Sequence, residues 1–187
     1  MLYITLGALG SLIINLFNIN SVKRIPFLKM LLWLAGTSLL VYSVVMVAVS
    51  ADKLALPLWT LWAGWLLMAI SMLLLAYSLF INIPFARTYL GGGSEEKLVT
   101  GGLYALVRHP WLPSFSLLLI SLIPVSQSRL SLVAAPVWIL LNVILVFIQD
   151  KVIFPRVFNG YEQYRQQTPM LIPSRKSITA FVGQYRR

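Results

Sequence analysis

Arg108-His109-Pro110 is the one place in this sequence where a guanidinium, the chain's single imidazole and a helix-starting proline stand together. Such a guanidinium can clamp a carboxylate or phosphate through two parallel hydrogen bonds, and an imidazole can donate a hydrogen bond or move a proton near neutral pH. The residues that lead into it, Leu98-Val99-Thr100-Gly101-Gly102-Leu103-Tyr104-Ala105-Leu106-Val107, form a polar, glycine-bearing loop running into an apolar segment. Gly101 and Gly102 let a backbone come close to a ligand. Taken alone, Arg108 could equally snorkel to lipid phosphates, with His109 as an interfacial cap and Pro110 in an ordinary first turn. Ionisable groups beside membrane segments favour the functional reading.

A second candidate lies at Gln149-Asp150-Lys151. A carboxylate there could accept hydrogen bonds from an ammonium or from ribose hydroxyls, or pair with Lys151 or Arg156 at a helix end. Tyr161 and Tyr164 are three residues apart and would share one helix face. They could sit at a lipid interface or stack on a flat cofactor base. Cysteine is absent, which excludes disulfides, thiolate nucleophiles and Cys-ligated zinc. One His and five carboxylates argue against a conventional metal site. Gly91-Gly92-Gly93 is most simply a flexible loop, and without a preceding strand the glycines make no dinucleotide fingerprint.

The elements that would position these groups are almost entirely apolar. Hydrophobic residues make up 59% of the 187, charged ones only 11%, a balance that a soluble domain could not hide. The hydropathy pattern predicts about five membrane spans: Leu2–Ile19, Phe27–Val49, Leu58–Ile83, Trp111–Val125 and Leu130–Ile148. Trp59, Trp62 and Trp65 would form an interfacial aromatic belt at one end of the third. The brief turn Gln127-Ser128-Arg129 would make the last two an antiparallel helical hairpin. The first run has no basic leader and no cleavage signature, and reads as a retained span. The expected class is an all-α integral membrane bundle, with residues 1–84 supplying three spans. Residues 85–187 would carry the chemistry in a polar loop, the hairpin and a covering tail.

The net charge of +10 gathers at the ends of the apolar segments, which suits anionic headgroups and argues against nucleic acid. Of the fifteen Lys and Arg residues, only Lys53 and Arg129 fall in the second and fourth loops. Under the positive-inside rule the N-terminus is outside, and the third loop and tail share the cytoplasmic face. The tail's Arg175, Lys176, Arg186 and Arg187 read as a headgroup-binding surface.

Taken together, these pieces resemble the isoprenylcysteine carboxyl methyltransferase and phospholipid methyltransferase superfamily. The likeness is carried by Leu98-Val99-Thr100, the glycine turn, Tyr104 and Arg108-His109-Pro110. After these come a short apolar pair, the acidic position at Gln149-Asp150, Tyr161 and Tyr164, and Thr168-Pro169. It covers about the C-terminal half; the first three spans match only in being apolar. The resemblance implies an integral membrane methyltransferase using S-adenosylmethionine at the cytosolic face. Leu98, Val99, Gly102 and Tyr104 would then line the cofactor pocket, Arg108 and His109 would bind its polar groups, and Asp150 would take the acidic position. Tyr161 and Tyr164 would close over it. The acceptor would be lipophilic, a prenylcysteine-like carboxylate or a lipid head group, entering from the bilayer. An anionic acceptor would be drawn by Arg108 or Arg165, which with Asp150 make the catalytic candidates.

Two departures from the family pattern stand out. Gln149-Asp150 replaces a pair of adjacent acidic residues, commonly Glu-Glu, and Phe158-Asn159-Gly160-Tyr161 departs from the usual Phe-Gly spacing. The first either weakens the grip on a cofactor ammonium or retunes the site for another substrate. Two other readings compete: an NADPH-dependent membrane reductase of sterol or isoprenoid type, whose C-terminal half is similar, and a non-catalytic membrane subunit that keeps the fold. Channel or transporter function finds no mid-span ionisable residue and no half-to-half repeat to support it.

Overall fold

The computed structural model describes residues 1–23, 26–83 and 98–184, apart from the side chains of 17–23, 26, 27 and 29. Among these residues all regular structure is helical, save one isolated bridge between Lys53 and Ser128. The long helices are α1 (Leu2–Lys23), α2 (Pro26–Ala48), α3 (Leu58–Ala76), α5 (Trp111–Ser126) and α6 (Arg129–Ile148). Short ones follow the polar stretches: α4 (Leu103–Leu106), α7 (Phe154–Val157), α8 (Tyr161–Gln167) and α9 (Arg175–Gln184). Three helical stretches are long and apolar enough to cross a membrane: Met30–Ala48, Leu58–Ile81 and Arg129–Val157. They mark the chain as a membrane protein. Leu2–Leu16 and Trp111–Ser126 are apolar but shorter.

The predicted boundaries shift in one place that matters. The last apolar helix does not end at Ile148; a wide π turn over Gln149–Ile153 carries it on to Val157. Asp150 therefore sits inside a helix, not at its end. The predicted Gly91–Gly93 loop, with Glu95, Glu96 and Lys97, falls outside the described residues, as do Arg24, Arg186 and Arg187.

Two packing devices hold the bundle. The α1 and α2 backbones approach closely where each carries a glycine: a Cβ on Gly10 would stand 2.9 Å from the Gly36 carbonyl oxygen, and one on Gly36 equally near that of Gly10. Close backbone approach of this kind is how helices associate where lipid tails compete with apolar side chains. Trp138 of α6 is the second device. It is fully buried against Ile4, Val47, Leu119, Ala134 and Ala135, and its Nε1 donates to the Ile4 carbonyl at 2.9 Å. Gly7 leaves room for the indole, which any Cβ there would overlap. Buried serines are made tolerable by donating back to carbonyls three or four residues earlier, as Ser43 does to Leu39, Ser71 to Leu67 and Ser121 to Leu118.

At one end the turns are clasped together. Lys53 Nζ donates to the last carbonyls of two helices, Ala48 and Ser126, each at 3.0 Å, and Leu54 N donates to Gln127 O. Gln127 adopts a left-handed conformation (φ 52°) that terminates α5. Gly10→Leu is expected to lower stability by about 1–3 kcal/mol through overpacking against α2. Thermal unfolding of the detergent-solubilised protein would measure it, with Leu9→Ala on the exposed side as the near-neutral control.

Candidate functional site

The residues singled out by sequence meet at the other end of the bundle. Arg108 lies in the short connection between α4 and α5, with its backbone N–H donating to Pro169 O and that of His109 to Met170 O. The chain segment after α8 is thus laid alongside the start of α5. The Arg108 guanidinium then reaches the π turn of α6: Nε donates to Asp150 Oδ1 at 2.7 Å and Nη2 to Oδ2 at 2.8 Å. Its remaining arm, Nη1, donates to the carbonyls of Arg165 and Thr168. One cation ties three distant stretches together.

Asp150 is fully buried and its oxygens are heavily engaged. Besides Arg108, Oδ1 accepts the Tyr161 hydroxyl at 2.6 Å and has His109 Nε2 at 3.4 Å. Burial pushes the His109 imidazole below its ordinary value, with the nearby Arg108 charge acting the same way, against the pull of Asp150. A neutral ring that hydrogen-bonds this carboxylate does so with its proton on Nε2. Burial also raises the Tyr161 hydroxyl, reinforced by its bond to Asp150, and raises Tyr164. For Arg108, burial acts to discharge the group, yet the bonds and charge of Asp150 outweigh it and hold the guanidinium above its ordinary value. The cluster is therefore one cation, one anion and neutral rings, with no net charge left over.

Aromatic packing closes it. His109 stacks on Phe154 with ring centroids 5.4 Å apart, and Tyr161 meets Phe154 and Tyr164 edge-on. Tyr164 donates to the Tyr104 carbonyl at 2.6 Å, which joins α8 to α4. Gly160, left-handed at φ 80°, makes the sharp turn that starts α8, which is what the Phe158-Asn159-Gly160 spacing accomplishes here.

The loop before Arg108 is built differently. Asn82, just past the π turn Tyr77–Ile81 that extends α3, receives Leu103 N on its Oδ1 (3.1 Å) and donates from Nδ2 to Gly101 O (2.9 Å). Gly102 has φ 58°, and a Cβ there would overlap the Asn82 amide. The Gly102 N–H instead meets Gln184 Oε1 of α9 at 3.0 Å, in an exposed bond. Leu98 and Val99 are part-exposed, and a Cβ on Gly101 would find nothing nearer than Gln184 Oε1 at 3.9 Å.

The structure thus brings Arg108, His109, Asp150, Tyr161 and Tyr164 into one buried cluster, with Tyr104 and Gly102 beside it. Arg165 joins only through its carbonyl; its guanidinium turns outward to Glu162 at 3.1 Å. Sequence reasoning missed Asn82 and Gln184 as the groups that shape the glycine turn, although a lone amide closing an apolar helix was a usable signal for the first. Gln149, read from sequence as part of the acidic position, instead donates from Nε2 to Asn15 Oδ1 of α1 and so faces away from the cluster. No protein-family model, no curated protein and no solved structure matches this chain.

Asp150→Asn should cost roughly 3 kcal/mol or more, since it leaves Arg108 buried without its counter-charge. Tyr161→Phe should cost only about 1 kcal/mol. Faster tryptic cleavage after Arg165 and Arg175 in the first variant alone would report the tail coming loose. The unfolded chain takes up a proton on His109 as pH falls through 6.5, while the folded chain resists it. The stability this residue contributes is therefore full above pH 6.5 and lost progressively below it. His109→Asn should make the acid decline shallower, as read from unfolding midpoints between pH 7.5 and about 5.

Proposed function

We propose that this chain is an integral membrane methyltransferase that uses S-adenosylmethionine to modify a lipophilic acceptor, a prenylcysteine-like carboxylate or a lipid head group. The observation that carries this reading is the convergence of the Leu98–Pro110 segment, Asp150 and the Tyr161–Thr168 segment at one end of the bundle. These are the stretches on which the resemblance to the methyltransferase superfamily rests. What supports the five-span arrangement is the same convergence: Arg108 before α5 can reach Asp150 after α6 only if the two helices run antiparallel. The one-sided placement of the basic residues supports an outer N-terminus, with the glycine turn and the tail facing the cytoplasm.

The residues fit the donor as backbone groups, open space and part-exposed apolar side chains along Leu98–Tyr104. The space around Gly101 is open, with only Gln184 Oε1 within 4 Å of a Cβ placed there, and the Gly102 amide is held by a bond that water can already reach. Arg108 and Asp150 fit a different role, because each spends its charge on the other. In this reading they frame the site: Arg108 holds the carbonyls of Arg165 and Thr168, and Asp150 fixes Tyr161 and His109. When bound, the cofactor supplies a methyl group already attached to a good leaving group, so the protein's task is to position the acceptor and exclude water. A carboxylate acceptor needs no base, whereas His109, buried and resisting protonation, is poorly placed to take a proton from an amine or hydroxyl acceptor. Arg165, half-buried on the outer side of α8, is paired with Glu162 and would meet an anionic acceptor only by leaving that carboxylate.

A second reading, a non-catalytic membrane subunit, is favoured by the saturation of Asp150, which leaves the cluster closed without any ligand. Equilibrium binding to the chain in lipid nanodiscs separates the readings. The methyltransferase reading expects saturable binding of labelled S-adenosylmethionine and none of NADPH. Val99→Trp should weaken that binding more than tenfold, about 1.4 kcal/mol, with thermal stability unchanged. Binding of NADPH alone would support a reductase instead, and binding of neither would support the subunit.

A further inference from the structure

Helix α9 is an amphipathic element that packs on α4 by one face. Ser174 and Ser177 cap it reciprocally: Ser177 N donates to Ser174 Oγ at 3.2 Å and Ser174 N to Ser177 Oγ at 3.0 Å, so its start is fixed by local chemistry. Ser177 is buried and Phe181, four residues on, is half-buried, which defines the face turned to the protein. Ile178 and Val182, four residues apart, form a neighbouring apolar stripe and are 47% and 42% exposed. Ile172, just upstream, is 81% exposed. Arg175 and Lys176 are both exposed at the same end, and no Asp or Glu occurs anywhere after Glu162. An apolar stripe bordered by cations, on a chain that already crosses a bilayer, is complementary to an anionic membrane surface.

We propose that α9 lies in the membrane–water interface, with Ile178 and Val182 in the acyl boundary and Arg175 and Lys176 on anionic headgroups. Its docking there secures the contact from Gln184 to the Gly102 amide. The second clause follows from connectivity, because α9 packs on α4 and Gln184 sits at its far end. Lipid composition then sets how firmly the glycine turn is held. When α9 lifts, the Gly102 N–H is released to whatever the loop binds. None of this depends on methyl transfer, so it can fail or stand independently of that activity.

The chain contains no cysteine, so single-cysteine spin labels are clean reporters. Ile178→Cys, Val182→Cys and Ala180→Cys would be labelled in the full chain, in phosphatidylcholine vesicles with and without phosphatidylglycerol. With the anionic lipid, labels at 178 and 182 should be reached by oxygen, and the label at 180 by a water-soluble nickel complex. Arg175→Gln and Lys176→Gln should each lower the docked fraction relative to the undocked one roughly fivefold. Amide exchange at Gly102 should slow when phosphatidylglycerol is added, and Gln184→Leu should remove that response. Equal exposure of all three labels to the nickel complex in both vesicles would overturn the proposal. So would shielding of 178 and 182 that ignores lipid charge, which would indicate a protein partner or a second copy. Lipid-dependent docking with unchanged Gly102 exchange would overturn the link to the glycine turn.

Discussion

A buried ion pair is expensive to make, and this fold makes one where three pieces of chain must meet. Arg108 and Asp150 face each other through two hydrogen bonds, with side chains 7% and 1% exposed. Desolvating both charges gains little over an apolar pair of similar size, so the arrangement is poorly explained as a source of stability alone. It does supply direction. A guanidinium presents donors in a fixed plane, and here four of its N–H groups have acceptors that leave the incoming segment, the end of α6 and the tail little choice of register. Tyr161, His109 and Phe154 then close over the pair, and the Tyr164 bond to Tyr104 carries the same order to α4.

The wide turn at Gln149–Ile153 makes this possible. Gln149 and Asp150 are neighbours that must serve different partners, both while buried. Gln149 reaches α1 through Asn15, one level of a polar ladder continued by Asn142 on Ser11 and Trp138 on the Ile4 carbonyl. Asp150 reaches Arg108. An acidic residue in place of Gln149 would face the Asn15 carbonyl oxygen as an acceptor facing an acceptor, unless the Asn15 amide turned over. The amide at 149 therefore fits the α1–α6 interface on its own terms. Gln149 thus ties α1 to the residue next to the central carboxylate.

Much of this was readable from the residues. The apolar helices followed from hydropathy, and the meeting of the Arg108 and Tyr161 stretches at one end followed from where the cations lie. Asp150 and His109 stood out because so few ionisable groups exist in the chain. What could not be read was pairing. Sequence spacing gives no sign that Arg108 and Asp150 would satisfy each other, since forty-one residues and two helices separate them. The π turn was hidden because a widened turn leaves hydropathy unchanged, and the predicted helix end at Ile148 marks only where polarity begins. Nothing in the spacing of Gly7 and Gly10 marks them, because their worth lies in the Trp138 ring and the Gly36 backbone opposite them. Arg165 looked equivalent to Arg108 by charge, but its place on α8 gives it Glu162 and the outer surface.

A double-mutant cycle on the pair tests the account most directly. Arg108→Met, Asp150→Leu and the double variant would be compared by thermal unfolding and by protease access to the segment after α8. If the pair organises this end of the molecule, each single loss should be severe. The double variant should then recover much of it, with an interaction energy near the upper end of the roughly 0.5–3 kcal/mol seen for residues in one network. Losses that simply add, with the tail equally protected in every variant, would mean that the segments are held together by something else.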